Sequence, residues 1–191
     1  MEEALRALLP KMVGALSFDV YRHQGKEDLL ARLPERFRGY AAWIPNTWRI
    51  VVVVDRDDDQ CKALKLRLET IARDVGLETR SSCQGKAYTV INRLAIEELE
   101  AWYFGDWTAV RTAYPRVSES VPRQARYRAS DEIKGGTWEA LERILQSAGY
   151  FQGGLRKIEA AREIAAHMDP SKNKSPSFRS LRDALVELAA A

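Results

Sequence analysis

Four consecutive valines, Val51 to Val54, stand directly before four aspartates that occupy positions 55, 57, 58 and 59. An unbroken β-branched run predicts a strand that is buried on both faces, as in a mainly parallel sheet. Ligands of such sheets bind outside the carboxyl ends of the strands. The acidic cluster therefore follows the strand at the place where a functional site is expected, and we predict an α/β fold.

Asp55 and Asp57 form an Asp-x-Asp pair at this strand end. Two convergent carboxylates offer the hard oxygen ligands that suit Mg²⁺ or Mn²⁺, and without a cation they would repel each other. The alternative is that Asp57, Asp58 or Asp59 only caps the next helix and interacts with its N-terminal dipole. One aspartate would be enough for that role.

The spacing of apolar residues predicts helices and strands along the rest of the chain. Before the valine strand we expect a helix interrupted at Pro10, a strand over residues 18–23, a helix ended by Pro34 and a second short helix. After it we expect a helix closed by Gly76 and a strand over residues 87–92 that leads straight into a helix. Beyond residue 94 the pattern is helical, with a basic loop over residues 115–136.

A second acidic group, Glu97, Glu98 and Glu100, follows the second predicted strand. If the two strands are neighbours, one or two of these carboxylates can reach the same crevice as the aspartates. On a regular helix Glu97 and Glu100 share a face, but spacing does not choose among the three at a strand-to-helix junction. The alternative is an exposed acidic first turn of a helix.

Basic residues supply candidates for binding an anionic substrate. Lys26 follows Gly25 at a predicted helix start, where backbone amides and an ammonium can meet phosphate. From Arg111 to Arg182 the chain carries 14 Lys and Arg against 8 Asp and Glu. This excess suits a polyanionic partner, although an ordinary solvated surface explains it equally well. The individual candidates are Arg93, Lys134, Arg156, Lys157, Lys172, Lys174, Arg179 and Arg182.

The composition argues against a secreted, zinc-stabilised or membrane protein. The chain has two cysteines, and Cys61, Cys83, His23 and His167 lack the paired spacing of structural zinc sites. No apolar run approaches the length of about 20 residues that spans a bilayer, and no signal peptide is evident. We expect a cytoplasmic protein that does not enter the membrane.

Several motifs together resemble a bacterial family of unknown function with a Toprim-like core, which also supplies the effector subunit of PARIS anti-phage systems. They are DRDDD, EEALRALLPK, HQGKEDLLARLPERFRGYA, RLAIEELEAWYFGDW and IKGGTWEALE. The resemblance implies a Mg²⁺-dependent nuclease that in some members is held inactive by an ATPase partner. It maps the metal-binding pair onto Asp55 and Asp57. It maps an acidic helix motif onto Arg93, Glu98, Glu100 and Trp102, and so favours Glu98 and Glu100 over Glu97.

The start of the chain departs from this family. Relatives begin with a hydrophobic strand that ends in a glutamate, whereas Met1 here already lies in the first predicted helix. Either that strand is encoded upstream, or Glu2 or Glu3 substitutes, or the protein lacks the activity. We therefore expect this chain to have weak nuclease activity. An uncovered sheet edge would favour self-association as a homodimer. The domains expected are an α/β core over residues 1–110 and a helical, basic portion over residues 111–191.

The leading functional prediction is a Mg²⁺-dependent nuclease in which Asp55, Asp57, Glu98 and Glu100 hold the metal and Lys26 assists. The phosphate backbone of DNA or RNA would be contacted by Arg93, Lys157, Lys172, Lys174 and Arg179. The first alternative is a regulatory or partner-binding subunit with a degenerate acidic crevice. The second is a haloacid-dehalogenase-like phosphatase, which Asp59 weakens because a Thr or Val usually stands at that position.

Overall fold

The computed structural model describes residues 1–56, 59–85 and 87–190. Three single-turn 3₁₀ helices, Val121–Arg123, Ala125–Tyr127 and Ser130–Glu132, lie in the segment predicted as a basic loop. The remaining elements, in chain order, are α1 (Glu2–Val13), α2 (Lys26–Trp43), β1 (Ile50–Asp55), α3 (Cys61–Arg73), β2 (Val90–Ala95), α4 (Glu100–Gly105), α5 (Trp107–Ala113), α6 (Thr137–Ser147), α7 (Lys157–His167) and α8 (Pro176–Ala190).

The chain forms two compact units. Unit 1 contains Met1–Tyr21 and Ala95–Ala191, and unit 2 contains Arg22–Leu94. The predicted mixed α/β class is confirmed, with helices following the sheet as expected. The Toprim-like identity of the sheet and the boundary near residue 110 stay predictions.

Unit 2 is built around a β-α-β arrangement in which β1 and β2 pair in parallel and α3 connects them. Parallel strands need such a crossover connection, because a tight turn between two strands makes them antiparallel. Val52 and Val54 are buried, whereas Val51 and Val53 are only partly covered. The prediction of a strand buried on both faces is therefore wrong for the face of Val51 and Val53, which is only partly covered in the described two-stranded sheet.

The end of α3 follows the sequence prediction at Gly76. This residue has φ 77°, and the next residue, Leu77, donates its backbone N–H to the Ala72 carbonyl at 3.0 Å. Glycine adopts this left-handed conformation without a steric penalty, so the helix can close on its own last carbonyls.

One predicted helix end and one predicted strand in the first part of the chain are wrong. Pro34 lies inside one continuous helix, α2, and does not end it. Leu30, Leu33 and Phe37 are buried along one face of that helix, and this burial on both sides of the proline outweighs the lost backbone bond. Residues 18–23 form no strand, because their alternating pattern has no neighbouring strand to pair with in the structure.

The core of unit 1 lies between α1 and the C-terminal helices α7 and α8, which α1 contacts along its length. Leu8 of α1 is fully buried there, and α1 continues through Pro10 without a break. Lys11 donates from Nζ to the carbonyls of Ala166 at 2.7 Å and Met168 at 2.8 Å, at the end of α7. A cation at this position satisfies carbonyls that have no partner within the helix.

The short helix α4 lies at the centre of unit 1, and all six of its residues are buried. The sequence pattern predicts a helix running straight on from the second strand, but α4 begins only at Glu100. Glu97 has φ 62°, a conformation that a right-handed helix cannot contain, so the chain turns before α4 starts. No helix among the described residues is long and apolar enough to cross a membrane.

Candidate functional site

The acidic turn after β1 is the first candidate site. Asp55 is the last residue of β1 and is partly buried, and Asp59 is exposed four residues later. Asp57, the second predicted metal ligand, and Asp58 lie outside the described residues. The described part of the turn therefore carries one carboxylate at the strand end and a second one toward α3.

Lys26, a predicted catalytic residue, contacts this turn. Its ammonium forms an ion pair with Asp59 at 2.7 Å and donates to the Arg56 carbonyl at 3.2 Å. Lys26 is the first residue of α2, whereas the turn follows β1, so the two meet only through tertiary structure. The structure thus brings a cation and the acidic turn together at the carboxyl end of β1.

The segment before Lys26 is fixed by Asp28. The Asp28 carboxylate accepts hydrogen bonds from the Gln24 backbone N–H at 3.0 Å and from Arg32 at 2.6 Å, and it contacts His23 Nδ1 at 3.2 Å. The Gln24 N–H, followed by Arg32, lowers the pKa of Asp28. His23 is thus a partner of a helix-start carboxylate.

Glu98, in the second acidic group, caps a remote helix. Its Oε2 accepts hydrogen bonds from the Thr137 N–H at 3.1 Å, the Thr137 hydroxyl at 3.0 Å and the Trp138 N–H at 3.1 Å. These N–H groups belong to the first turn of α6, where they have no partner within the helix. An anion there also interacts favourably with the helix dipole. Ligation of a metal by Glu98 would therefore have to use Oε1 or break this cap.

Glu100 is a buried carboxyl group with 7% of its surface exposed. Burial raises its pKa, and the nearby Glu98 adds to the increase, whereas Lys157 opposes it. Lys157 also lies over the Trp138 ring, with its Nζ 4.1 Å from the ring centroid. Glu98, Glu100 and Lys157 are thus brought together at the start of α6, within unit 1.

The other predicted nucleic-acid contacts are scattered. Arg93 lies in β2 and donates to the Asn92 carbonyl at 3.0 Å. Lys172, Lys174 and Arg179 are exposed near the start of α8. Lys172 pairs with Asp169 at 3.0 Å. The Ser171 hydroxyl and then Lys172 lower the pKa of Asp169 to about 2.

The residues between these lysines are structural anchors, which sequence reasoning missed. Asn173 and Ser175 are buried, and the Asn173 amide donates to the Trp102 carbonyl at 2.8 Å. Ser175 donates its hydroxyl to Asp131 at 2.6 Å and accepts from the Phe178 N–H at 3.2 Å. The Ser-Pro pair at the start of α8 was the available signal, since serine caps helices and proline favours the first helical position.

A partly buried polar network in unit 2 was also missed. Glu69 of α3 accepts hydrogen bonds from Lys65 at 2.8 Å, from Asn92 of β2 at 3.1 Å and from the Thr79 hydroxyl. Burial is the largest influence on the pKa of Lys65 and lowers it despite the ion pair with Glu69. This network ties α3 to β2, and its members carried no sequence signal because lone polar residues on a helix are usually solvated.

Across residues 1–56, 59–85 and 87–190, no three His, Cys, Asp or Glu side chains form a group that could hold a metal ion. Asp55 belongs to unit 2, and Glu98 and Glu100 belong to unit 1. Cys61 and Cys83 are free thiols. The four-carboxylate metal site therefore stays a prediction.

Comparison with known proteins identifies a family without assigning a function. A search of curated proteins finds no match, and a search of solved structures finds none either. A family described as "Domain of unknown function (DUF4276)" matches residues 1–186, which is nearly the whole chain. This protein therefore belongs to the DUF4276 family.

Proposed function

We propose that this chain is a metal-dependent nuclease that hydrolyses phosphodiester bonds at the turn after β1. The observation that carries the proposal is the position of Lys26, whose ammonium lies 2.7 Å from the Asp59 carboxylate and contacts the same turn through Arg56. A phosphodiester is an anion, so positive charge at the phosphate assists its hydrolysis, and carboxylates can hold a cation that supplies such charge. The turn combines both kinds of group at a strand end.

The carboxylate oxygens of this turn are the type of ligand that Mg²⁺ and Mn²⁺ prefer. Asp55 supplies a carboxylate at the end of a strand, and Asp57 is the proposed second ligand. When bound, such an ion would activate water and neutralise charge on the phosphate. Glu98 and Glu100 belong to unit 1, where the Oε2 atom of Glu98 is already occupied by the cap of α6.

The chain's own residues suggest how substrate would bind. Lys26 exchanges its contact with Asp59 for a phosphate oxygen, so that its ammonium keeps an anionic partner. Asp28 holds the residues before Lys26 through the Gln24 N–H and His23, so the start of α2 keeps Lys26 directed at the turn. Both roles use contacts within unit 2.

The test measures cleavage of single-stranded DNA and of RNA in Mg²⁺ or Mn²⁺. We expect Asp55→Asn to lower activity by at least about 100-fold, since even outer groups of metal sites contribute about 10- to 100-fold. Asp59→Asn is the matched control, because Asp59 lies in the same turn but pairs with Lys26. We expect a much smaller effect from it. Activity of Asp55→Asn equal to that of the wild type, with metal binding unchanged in calorimetry, would refute the proposal.

A partner-binding or regulatory role is the second candidate, favoured by exposed aromatic residues in unit 2. Trp43 and Trp48 are 58% and 55% exposed, and their ring centroids are 6.0 Å apart. Exposed tryptophans are typical anchors of protein interfaces. The proposed partners are an ATPase or a second copy of this chain. Light scattering of the wild type and of Trp43→Ser plus Trp48→Ser tests the homodimer, and a wild-type monomer would exclude it.

A further inference from the structure

A cavity of about 360 Å³ lies in unit 1 beside the 3₁₀ turns that precede α6. Its charged lining consists of Arg126, Lys134, Arg143 and Glu132, and the buried Tyr127 and Ile133 contribute apolar surface. Three cations and one carboxylate thus line this cavity. The volume is within the range of about 300–1,000 Å³ that small-molecule sites occupy.

The acidic residues near this cavity are committed to other contacts. Asp131 accepts from Ser175 and from the Ser177 N–H at 2.7 Å, and Glu142 accepts from the Leu155 N–H at 2.6 Å. Within the described residues, these two carboxylates therefore form no ion pair with the cations that line the cavity.

The three cations remain available to a ligand. Within the part of the chain that the structure describes, Arg126, Lys134 and Arg143 form no ion pair. The Arg126 guanidinium lies over the Tyr127 ring at 4.6 Å and donates to the Gln124 side chain at 3.3 Å. These contacts reduce the freedom of the guanidinium but leave its charge unneutralised.

We infer that this cavity binds a phosphate group, which comes either from the phosphorylated end of a nucleotide or from an internal phosphodiester of a polynucleotide. Arginine presents paired donors that match phosphate oxygens, and lysine adds a compact charge. Glu132 also lines the cavity and opposes the binding of an anion, but the three cations outnumber it. The inference concerns binding alone and does not depend on hydrolysis at Asp55.

The experiment measures binding in EDTA at low salt. The probes are adenosine 5′-monophosphate and a short labelled DNA strand with or without a 5′-phosphate. The pocket variant combines Arg126→Gln, Lys134→Gln and Arg143→Gln. The matched control combines Lys62→Gln, Arg67→Gln and Arg73→Gln, which removes the same charge from the exposed surface of α3. We expect the pocket variant to bind at least about tenfold more weakly than the control, because it loses charge-assisted hydrogen bonds.

The outcomes separate the two sources of phosphate. Stronger binding of the monophosphate and of the 5′-phosphorylated strand identifies a terminal phosphate, whereas equal binding of both strands identifies internal phosphodiesters. Equal losses in the pocket and control variants, or no binding of any probe by the wild type, would overturn the inference. If the triple variant unfolds, Arg143→Gln alone is used, since this residue is exposed on α6. All binding is measured in EDTA, where no Mg²⁺ is available for cleavage, and this separates the inference from the proposed hydrolysis.

Discussion

At the scale of single residues, Glu98 shows how a residue that resembles a metal ligand can stabilise the fold. Its Oε2 receives three hydrogen bonds from Thr137 and Trp138. We expect Glu98→Ala to lower the free energy of unfolding by about 1–3 kcal/mol, because it leaves N–H groups at the start of α6 without an acceptor. Urea unfolding followed by circular dichroism measures the change.

Glu98→Gln is the informative comparison for this residue, because glutamine keeps one acceptor oxygen but loses the charge. We expect it to retain most of the stability that alanine loses. If Glu98→Gln is stable but inactive as a nuclease, a ligand role exists beside the cap. Unchanged stability in both variants would contradict the capping role.

Glu100 gives a prediction about pH. Burial raises the pKa of Glu100 above its ordinary value of 4.5, so the folded chain binds this proton more tightly than the unfolded chain does. The contribution of the group to stability therefore falls as pH rises from about 4.5 through the folded pKa. We expect Glu100→Gln to gain stability relative to the wild type between pH 4.5 and neutral pH. Urea unfolding at several pH values measures this difference.

Lys157 offers a control for the same titration, because its ammonium opposes the increase in the Glu100 pKa. In a chain that carries Lys157→Met, we expect the difference in free energy of unfolding between Glu100 and Glu100→Gln to depend more strongly on pH. A difference that does not change with pH would mean that Glu100 titrates normally.

At the scale of elements, α8 depends on a carboxylate far away in sequence. Asp131 accepts from Ser130 at 3.0 Å, from Ser175 at 2.6 Å and from the Ser177 N–H at 2.7 Å. We expect Asp131→Ala to lower the free energy of unfolding by about 3 kcal/mol, because buried donors lose a charged acceptor. Thermal and urea unfolding measure it, and Asp131→Asn should cost less than Asp131→Ala.

The control for α8 changes the exposed cations of the same segment. Lys174→Gln plus Arg179→Gln should leave stability unchanged, since both side chains are exposed. If this variant were as unstable as Asp131→Ala, the helix would depend on its surface charge more than on its buried cap.

At the scale of the whole molecule, the chain has two cores. Leu8 of α1 is fully buried in unit 1, and Leu68 of α3 is fully buried in unit 2. We expect Leu8→Ala and Leu68→Ala each to cost about 2–5 kcal/mol, because each leaves a cavity in a packed core. Amide hydrogen exchange should then increase mainly in α7 and α8 for Leu8→Ala, and mainly in α2 and β1 for Leu68→Ala. Identical exchange patterns for the two variants would contradict a division into two units.

Much of the local structure could be predicted because its causes are local. The valine run predicts β1, Gly76 predicts the end of the following helix, and helical spacing predicts the helices after residue 94. Pro34 gave a wrong boundary because burial of Leu33 and Phe37 on one face outweighs its local effect. A local pattern determines structure only where packing does not oppose it.

The α/β class, the acidic turn after β1 and the charged candidates could be predicted from the sequence, because they depend on neighbours in the chain. What each charge contacts depends on the folded structure, which brings Lys26 to Asp59, Glu98 to the start of α6 and Asp131 to the start of α8. The partners lie far apart in sequence. Glu98 and Thr137 are separated by 39 residues, and Asp131 and Ser177 by 46 residues. Spacing along the chain carries no information about such pairs, because the packing of helices fixes them.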